Sequence, residues 1–459
     1  MGKYQAYPEY KDSGVEWLGE IPSFWRCTRL KRYCKVTDGS HHSPKIEADG
    51  YPFISVTDVG LNSINFSDAK RISQKDYRRL VKEGCKPSIG DVLLTKDGTI
   101  GRACIVKEDM PDFVILSSLG LLTPKEDIVN SYLYYYLVSG INVDQMNSMI
   151  HGSALRRMTI SKIDDLILVL PSRDEQTKIA NFLDHETAKI DTLLEKQQQL
   201  IKLLKEKRQA VISHAVTKGL NPEVLMKDSG VEWLGEVPEH WQVCRLKHIA
   251  TIQSGIAKGG KDLTGKTLIS VPMLRVANVQ DGYLKLEDVH SIQIEPHMLE
   301  RYSLKNGDVL MNEGGDNDKL GRGAIWREQI QNCIHQNHVF VIRTQGIEPE
   351  WLDTLTRASY AKFYFFSVAK QSTNLASISA TNIKETPILV PSDEEREEIL
   401  LFLQHQLARF DDLEGKCERQ ISLLKERRTA LISAAVTGKI DVRNWQAPTH
   451  QGQALEQTA

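Results

Sequence analysis

Two long stretches of the chain repeat apolar residues every three or four positions, and each is framed by local signals for a helix start and a helix end. Each stretch opens with a Ser-x-x-Glu capping box, at Ser172 and at Ser392. Acidic residues crowd the first turns and basic residues the late turns, as the helix dipole favours. Gly219 and Gly438 stand where a C-terminal glycine is expected. The pattern therefore predicts two very long helices.

The apolar positions of both helices indicate a heptad seam that is interrupted by polar residues. At 1.5 Å per residue each helix spans about 65–70 Å, and a helix of that length has no core of its own. We expect the two helices to pair as an antiparallel coiled coil, although each could instead pack on its own globular region. The predicted seam residues are Ile190, Leu193, Leu200, Leu204 and Val211 in the first helix and Phe410, Leu413, Leu424 and Leu431 in the second.

Residues 12–155 and 227–375 contain short β-branched runs separated by turn residues, with apolar helical patterns between them. Each therefore predicts a mixed α/β lobe whose loops are free to carry function. The predicted fold class is α+β, with two mixed α/β lobes joined by two long helices. The predicted boundaries are 1–155 for the first lobe, 156–220 for the first long helix, 221–375 for the second lobe, 376–445 for the second long helix and 446–459 for a polar tail.

The chain also contains one unit of about 220 residues written twice. The segment 11–31 returns at 227–247 with 15 of 21 positions identical, and the segments that lead into and form the long helices also match closely. The middle of the unit keeps a skeleton, such as GDVL followed by GR, and changes its other residues. The repeat predicts an internal two-fold arrangement in which one scaffold carries two differently composed surfaces.

Length and composition bound the class of protein. The 459 residues suggest about three domains, and 41% apolar with 26% charged residues is an ordinary globular composition. The seven cysteines are scattered without a CxxC pair, which is typical of free thiols in a reducing compartment. No secretory signal and no apolar stretch near the roughly 20 residues of a membrane span is visible. We therefore expect a cytoplasmic protein with no membrane partner.

The formal net charge of −2 argues, on its own, against a polyanionic partner. The bases are nevertheless bunched, with five between Arg26 and Lys35 and seven between Lys70 and Lys86. Phosphates respond to nearby charges within about one Debye length and hardly to the total. The local patches are therefore compatible with nucleic-acid binding despite the net charge. For the second patch the alternative is a solvent-exposed helix face with no binding role.

Two sequence patterns suggest a nucleotide-binding site and a metal site, but the residues around them argue against both. Residues 260–267 satisfy the P-loop expression GxxxxGK[ST], but a strand-like stretch containing Pro272 follows where a P-loop needs a helix. Cys333, His335 and His338 could suggest zinc, but their alternation is more typical of polar groups on a strand. No dinucleotide or hydrolase motif is present in the sequence. We therefore expect no catalytic site and no metal site.

What remains is a set of side chains, located at turns, that are suited to forming hydrogen bonds with the edges of DNA bases. Arginine can form two hydrogen bonds with guanine and asparagine two with adenine in the major groove. Arg102 and Arg322 could instead merely close a hairpin. The predicted DNA-contacting residues are Ser40, His41, His42, Lys45, Lys96, Arg102, Lys258, Arg275, Asn278, Asn312 and Arg322.

The duplicated layout resembles the specificity subunit of Type I restriction–modification enzymes. The resemblance rests on the W-L-G-E-[IV]-P-x-x-W openings at Trp17 and Trp233, on the GDVL[LM]…GR skeletons at Gly90 and Gly307, and on the LPS and VPS leaders into the long helices. It covers nearly the whole chain, and the ordered combination is specific although each motif alone is weak.

The resemblance implies two target-recognition domains, each recognising one half of a split site in double-stranded DNA. It implies that the long helices act as a spacer and dock two methyltransferase subunits, with motor/nuclease subunits joining in the full complex. S-adenosylmethionine, ATP and Mg would then bind the partner subunits, and this chain would bind no cofactor and catalyse no reaction. A stand-alone duplicated DNA-binding regulator is the alternative.

Overall fold

The computed structural model describes residues 4–150, 156–257, 267–315, 320–371 and 376–447. The chain forms two compact units. Unit 1 consists of residues 1–197 and 418–459, and unit 2 consists of residues 198–417. Each unit therefore contains one lobe together with a portion of both long helices.

Unit 1 holds twelve described strands and four short helices, followed by the first long helix. The four-stranded sheet β4-β11-β8-β9 is antiparallel throughout, and a second sheet has the order β10-β6-β7-β5 with β10 parallel to β6. The strands are β1 Tyr10–Asp12, β2 Glu20–Pro22, β3 Arg26–Arg29, β4 Cys34–Asp38, β5 Ile46–Glu47, β6 Tyr51–Ile54, β7 Arg71–Ile72, β8 Val92–Thr95, β9 Ala103–Ile105, β10 Val114–Ile115, β11 Leu119–Pro124 and β12 Ile167–Leu170. The helices are α1 Gln74–Lys82, α2 Asn130–Val138, α3 Gly140–Ser148, α4 Ile160–Asp164 and the long α5 Arg173–Lys218, which continues into unit 2.

Unit 2 repeats this arrangement with the antiparallel sheet β16-β23-β19-β21 in place of β4-β11-β8-β9. Its strands are β13 Met226–Asp228, β14 Glu236–Pro238, β15 Gln242–Arg245, β16 Ala250–Ser254, β17 Ile269–Leu274, β18 His290–Ile294, β19 Val309–Asn312, β20 Gly314–Gly315, β21 Gly323–Ile325, β22 Ile334–His335, β23 Val339–Thr344, β24 Lys370–Gln371, β25 Ala376–Ser377 and β26 Pro387–Val390. Its helices are α6 Pro296–Tyr302, α7 Pro349–Arg357, α8 Ser359–Val368, α9 Ala380–Lys384 and the long α10 Asp393–Val436, which continues into unit 1.

The most similar segments of the repeat contact each other in both units. In unit 1 the fully buried Trp25 donates its indole N–H to Glu175 Oε1 at 3.3 Å. In unit 2 the fully buried Trp241 donates to Glu395 Oε2 at 2.9 Å. Glu175 and Glu395 lie in the first turns of α5 and α10, so the W-L-G-E-[IV]-P-x-x-W opening packs on the start of a long helix. Its close similarity between the two copies therefore has a structural cause.

The helix ends confirm the local signals. The Ser172 hydroxyl accepts a hydrogen bond from the Glu175 backbone N–H, and Ser392 does the same for Glu395, both at 3.3 Å. Gly219 and Gly438 adopt φ values of 74° and 76°, which favour glycine over residues with a Cβ atom. The local signals thus mark the ends of α5 and α10. The predicted helix segments 156–220 and 376–445 are longer than these helices, because α4 and β12 precede α5, and β25, α9 and β26 precede α10.

The long helices pair antiparallel through a repeated ion pair. Arg428 Nε donates to Asp191 Oδ1 at 3.0 Å in unit 1, and Arg208 pairs with Asp411 in unit 2. The two arginines occupy equivalent repeat positions, and so do the two aspartates. One copy of the pattern therefore supplies the arginine and the other the aspartate, as an internal two-fold arrangement requires.

The seam of the helix pair differs from the predicted one at three of its nine positions. Ile190, Leu204, Phe410 and Leu431 are buried as predicted, and Val211 and Leu424 are half-buried. Leu193, Leu200 and Leu413 are instead 43–45% exposed, and the half-buried Leu194 and Ile201 face the core. In the first helix the prediction was wrong because Leu193 is followed by Leu194 and Leu200 by Ile201, and the pattern alone does not choose between the two faces. Leu413 has no apolar neighbour in sequence, and nothing in the pattern explains its exposure.

All seven cysteines carry free thiols in the structure. Burial raises the pKa of the Cys34 thiol to about 12 and that of Cys104 to about 11. Within the described ranges no helix is both long and apolar enough to cross a membrane.

Candidate functional site

Three strand ends meet at one edge of the unit 1 sheet β4-β11-β8-β9. Asp38 ends β4, Lys96 follows β8, and Ser118 precedes β11. Because β11 is antiparallel to both neighbours, its start lies beside their ends, and the Lys96 backbone N–H donates to the Ser118 carbonyl at 3.1 Å. We call residues 38–42, 55–59, 96–102 and 116–118 the unit 1 loop cluster.

Lys96 brings a buried positive charge into the unit 1 loop cluster. Its side chain is only 2% exposed, and its ammonium lies 3.8 Å from Asp38 Oδ2 and 3.7 Å from Asp97 Oδ1. Burial lowers the pKa of Lys96, while the two carboxylates act in the opposite direction. Arg157 Nε lies 3.3 Å from the same Asp97 oxygen. The lysine therefore stands within an alternating set of charges, and a base could meet its ammonium only after a local rearrangement.

The other predicted residues of unit 1 surround this set. Ser40 is buried, and its hydroxyl donates to the His42 carbonyl at 2.8 Å. His41 is exposed with its Nε2 3.1 Å from Asp38, whereas His42 and Lys45 are exposed on the same loop. Arg102 donates to the Val59 carbonyl at 3.3 Å and so joins the hairpin to the neighbouring turn.

Unit 2 builds the matching loop cluster from residues 254–257, 275–280, 312–315 with 320–322, and 336–338. Asn312 ends β19, and its buried amide donates to the carbonyls of Val279 at 2.9 Å and Val276 at 3.3 Å. The Asn278 side chain accepts from the Arg275 backbone N–H and donates to the Lys285 carbonyl, both at 2.9 Å. Both asparagine amides therefore hold the turn in shape, and their predicted contact with adenine stays a prediction.

The two predicted arginines of unit 2 both contact the neighbourhood of the 275–280 turn, Arg275 from within it and Arg322 from the hairpin before β21. Arg275 Nη2 reaches Asp288 Oδ2 at 3.1 Å, and its side chain is 26% exposed. Arg322 Nη1 lies 3.5 Å from Gln280 Oε1, which repeats the hairpin-to-turn bond of Arg102. Lys258 lies outside the described residues. The structure thus brings Arg275, Asn278, Asn312 and Arg322 together, as it does for the predicted set of unit 1.

The sequence reasoning missed the residues that set the charge of each loop cluster. Glu313 occupies the repeat position of Lys96, and His338 occupies that of Ser118. Their side chains share a hydrogen bond of 2.6 Å, with His338 55% and Glu313 30% exposed. Aligning the two copies residue by residue through the GDVL skeleton was the signal that could have found this pair. At this position unit 1 carries a buried lysine and unit 2 carries a partly exposed glutamate.

Both basic patches are neutralised in part, and in the second patch Arg79 pairs with Asp76 at 3.0 Å and Lys86 with Asp112 at 2.7 Å. In the first patch Arg29 and Lys31 both pair with Asp165, and unit 2 repeats this with Lys247 and Glu385. The second patch lies largely on α1, where exposed side chains line a shallow cavity of about 400 Å³. Those side chains are Gln74, Lys75, Arg78, Arg79 and Lys82. The α1 patch is therefore the better placed of the two for phosphate contact.

The structure describes the residues that resemble a zinc site and only the end of the segment that resembles a P-loop. His335 is buried, its Nδ1 lies 2.7 Å from the Val339 carbonyl, and burial lowers its pKa. In the described part of the chain, no three His, Cys, Asp or Glu side chains are grouped to hold a metal. Residues 260–266 of the P-loop-like segment lie outside the described residues, and strand β17 follows them.

Comparison with known proteins gives a consistent result. The chain is 22% identical over 442 residues to the Type I restriction enzyme EcoKI specificity subunit of Escherichia coli K12, covering 94% of this chain and 92% of that protein. It is 23% identical over 454 residues to the MjaIX specificity subunit of Methanocaldococcus jannaschii, covering 96% and 99%. Both relatives therefore align over nearly their full length.

A solved chain shows the same fold. It comes from work on complex assembly and conformational transition of the type I R-M system, and it aligns with a TM-score of 0.66 at 15% identity, covering 92% of this chain and 99% of that chain. The family model described as "Type I restriction modification DNA specificity domain" matches residues 26–203 and 238–423, one match for each copy of the repeat. The chain therefore belongs to the Type I restriction–modification DNA specificity family.

Proposed function

We propose that this chain recognises an asymmetric, bipartite DNA site, with each unit contacting one half in the major groove. The observation that carries the proposal is the pair of matched loop clusters. One scaffold places Lys96 beside Asp38 in unit 1 and Glu313 beside His338 in unit 2. A lysine in one unit and a glutamate at the equivalent position of the other favour different base pairs, so the two half-sites differ.

Phosphate contacts would hold the protein in place while the loop clusters select sequence. The exposed bases of α1 supply such contacts on the side of unit 1. The chain as a whole is nearly neutral, so partner subunits supply much of the remaining phosphate binding. This division of labour predicts weak, poorly selective DNA binding by the isolated chain.

The proposed partners are two methyltransferase subunits, docked on the long helices, with motor/nuclease subunits joining the full complex. In this arrangement the chain itself catalyses no reaction and binds no cofactor, and S-adenosylmethionine, ATP and Mg bind the partner subunits. The exposed Leu193, Leu200 and Leu413 are apolar groups on α5 and α10 that a docked subunit could cover.

The helix pair is also proposed to fix the gap between the half-sites. Inserting about one turn, roughly four residues, at equivalent places in α5 and α10 should change the gap while both half-sites stay the same. Mapping methylated adenines in DNA from cells that express the chain with its methyltransferase subunits measures half-sites and gap together. If the variant methylates the same half-sites with the same gap, the helices do not act as the spacer. If the unaltered chain gives no bipartite methylation pattern, the proposed function is wrong.

A further inference from the structure

The two units differ in a groove beside the start of each long helix. Helices α2 and α7 occupy the same place, because Tyr132 in α2 donates to the Val169 carbonyl and Trp351 in α7 donates to the Leu389 carbonyl, both at 2.8 Å. Val169 and Leu389 are equivalent positions of the repeat. Position 135 of unit 1 therefore corresponds to position 354 of unit 2.

In unit 1 an aromatic side chain fills the groove between α2 and α5. Tyr135 is buried, and its hydroxyl donates to Asp184 Oδ1 at 2.6 Å and lies 3.2 Å from Thr187 Oγ1. Desolvation on burial raises the pKa of this hydroxyl far above its ordinary value, which keeps it a proton donor. The chain's own tyrosine thus fills the space between α2 and α5 in unit 1. Asp184 also lines a cavity of about 650 Å³, but the walls of that cavity are α5 and residues 445–447, without α2.

In unit 2 the equivalent position is Thr354, and the groove stays open. The Thr354 hydroxyl donates to the Glu350 carbonyl of its own helix at 2.7 Å and leaves the space above α10 unfilled. A cavity of about 870 Å³ results, and Gln404 and Leu407, the equivalents of Asp184 and Thr187, line it. We call this cavity the α7–α10 groove.

The chemistry of the α7–α10 groove is apolar below and acidic at the rim. Ile325, Leu400 and Leu403 line it, together with Leu401, whose side chain is 51% exposed. Glu394 and Glu397 are exposed acids on its rim. Asp353 lines it as well, and its buried Oδ1 has no hydrogen-bond partner among the described residues. An apolar floor with a carboxylate rim is complementary to an apolar anchor flanked by cations.

We propose that the α7–α10 groove binds a basic peptide segment of a partner protein through one aromatic side chain, once per chain. The aromatic ring takes the place that Tyr135 occupies in unit 1, and the flanking Lys or Arg residues meet Glu394 and Glu397. Because Tyr135 closes the equivalent groove, unit 1 does not take a second copy. This inference does not depend on DNA recognition.

The test uses the full-length chain and the fluorescently labelled peptide acetyl-KRYLKR-amide in a titration followed by anisotropy and calorimetry. We expect saturable binding with one peptide per chain. Thr354→Tyr, which copies the filling of unit 1, should weaken binding by about tenfold or more. Glu397→Gln should weaken it by about threefold, and Glu398→Gln, a neighbouring exposed acid outside the lining, should leave it unchanged.

Several outcomes would overturn the proposal. One is no saturation up to about 1 mM peptide, and another is equal binding by the Glu397→Gln and Glu398→Gln variants. Equal binding of acetyl-KRALKR-amide would remove the aromatic anchor, and equal binding of acetyl-ERYLER-amide would remove the charge match. If sedimentation shows a dimer of the unaltered chain that Glu397→Lys dissociates, the occupant is a second copy and the peptide assignment is wrong. The Glu397 and Glu398 variants decide the matter even if Thr354→Tyr fails to fold.

Discussion

Unit 1 and unit 2 share the contacts that hold a lobe on its long helix, and they differ in the side chains of their loop clusters. Trp25 and Trp241 each donate to a first-turn glutamate of α5 or α10. At equivalent loop positions, however, Lys96 stands in one unit and Glu313 in the other. The comparison teaches that duplication kept the residues that define the scaffold and freed those that define the surface. Similarity between the copies thus marks the scaffold, and under the proposed function the differences between the copies would set specificity.

The buried tryptophans offer the strongest test of an equivalent scaffold. Trp25→Ala and Trp241→Ala should each destabilise their own unit by about 3–5 kcal/mol, because each removes a fully buried indole and its hydrogen bond. Urea denaturation of the two variants measures the loss. Trp17→Ala and Trp233→Ala are matched controls, since those indoles are 45% and 39% exposed, and they should cost far less. A large cost in only one unit would break the equivalence.

The second test concerns a place where the units differ in ionisable groups. Asp353 in α7 corresponds to Tyr134 in α2, and burial raises the pKa of Asp353 to about 6. The folded state thus holds this proton more tightly than the unfolded chain does. The free energy of unfolding therefore falls as pH rises from about 4 to above 6, because the buried carboxyl group loses its proton. Relative to the native chain, Asp353→Asn should gain up to about 3 kcal/mol between pH 4 and pH 7.

Urea denaturation at several pH values measures this difference. Glu398→Gln serves as the control, because it removes an exposed acid from the same unit. A stability difference between Asp353→Asn and the native chain that stays flat from pH 4 to 7 would contradict the assignment. Arg357 Nη1 lies 3.5 Å from Asp353 and partly stabilises the ionised carboxylate, so the stability gained by Asp353→Asn is smaller than it would be without this arginine.

The third test sharpens the comparison of the two interhelical ion pairs. The Arg428 side chain is 14% exposed and makes two hydrogen bonds with Asp191, whereas Arg208 is 24% exposed and its partner Asp411 is 64% exposed. Arg428→Ala should therefore cost about 1.5–3 kcal/mol and Arg208→Ala less than about 1 kcal/mol. Thermal denaturation of both variants, with the exposed Arg427→Ala as reference, ranks the pairs. A larger loss for Arg208→Ala than for Arg428→Ala would show that solvent exposure does not determine how much each ion pair contributes to stability.

The features that were predictable from sequence are those set by local signals. Capping serines, first-turn acids and C-terminal glycines act within one helical turn, so the ends of α5 and α10 follow from the residues around them. The fold class follows from the repeat and from the alternation of strand and helix patterns. The seam was misplaced because Leu193 and Leu194 are adjacent, and only contacts with the rest of the unit select Leu194.

The candidate site was predictable in outline only. The repeat located both loop clusters at turns, because equivalent skeletons bring equivalent residues together. It did not reveal that Asn278 and Asn312 donate their amide N–H groups to backbone carbonyls, because the shape of the 278–285 turn and the approach of Val279 to Asn312, 33 residues away, arise only in the folded unit. Nor did it reveal Asp38 beside Lys96, because that pairing arises from two strands that flank β11.

The most direct test of the central claim is an exchange of one lobe. Residues 12–155 are replaced by the equivalent lobe of a family member with another specificity, and the chain is expressed with its methyltransferase subunits. Methylated adenines are then mapped across the genome, with an exchange of residues 227–375 as the reciprocal experiment. The account predicts that each exchange alters one half of the bipartite site and leaves the other half and the gap unchanged. A change in both halves after a single exchange would contradict it.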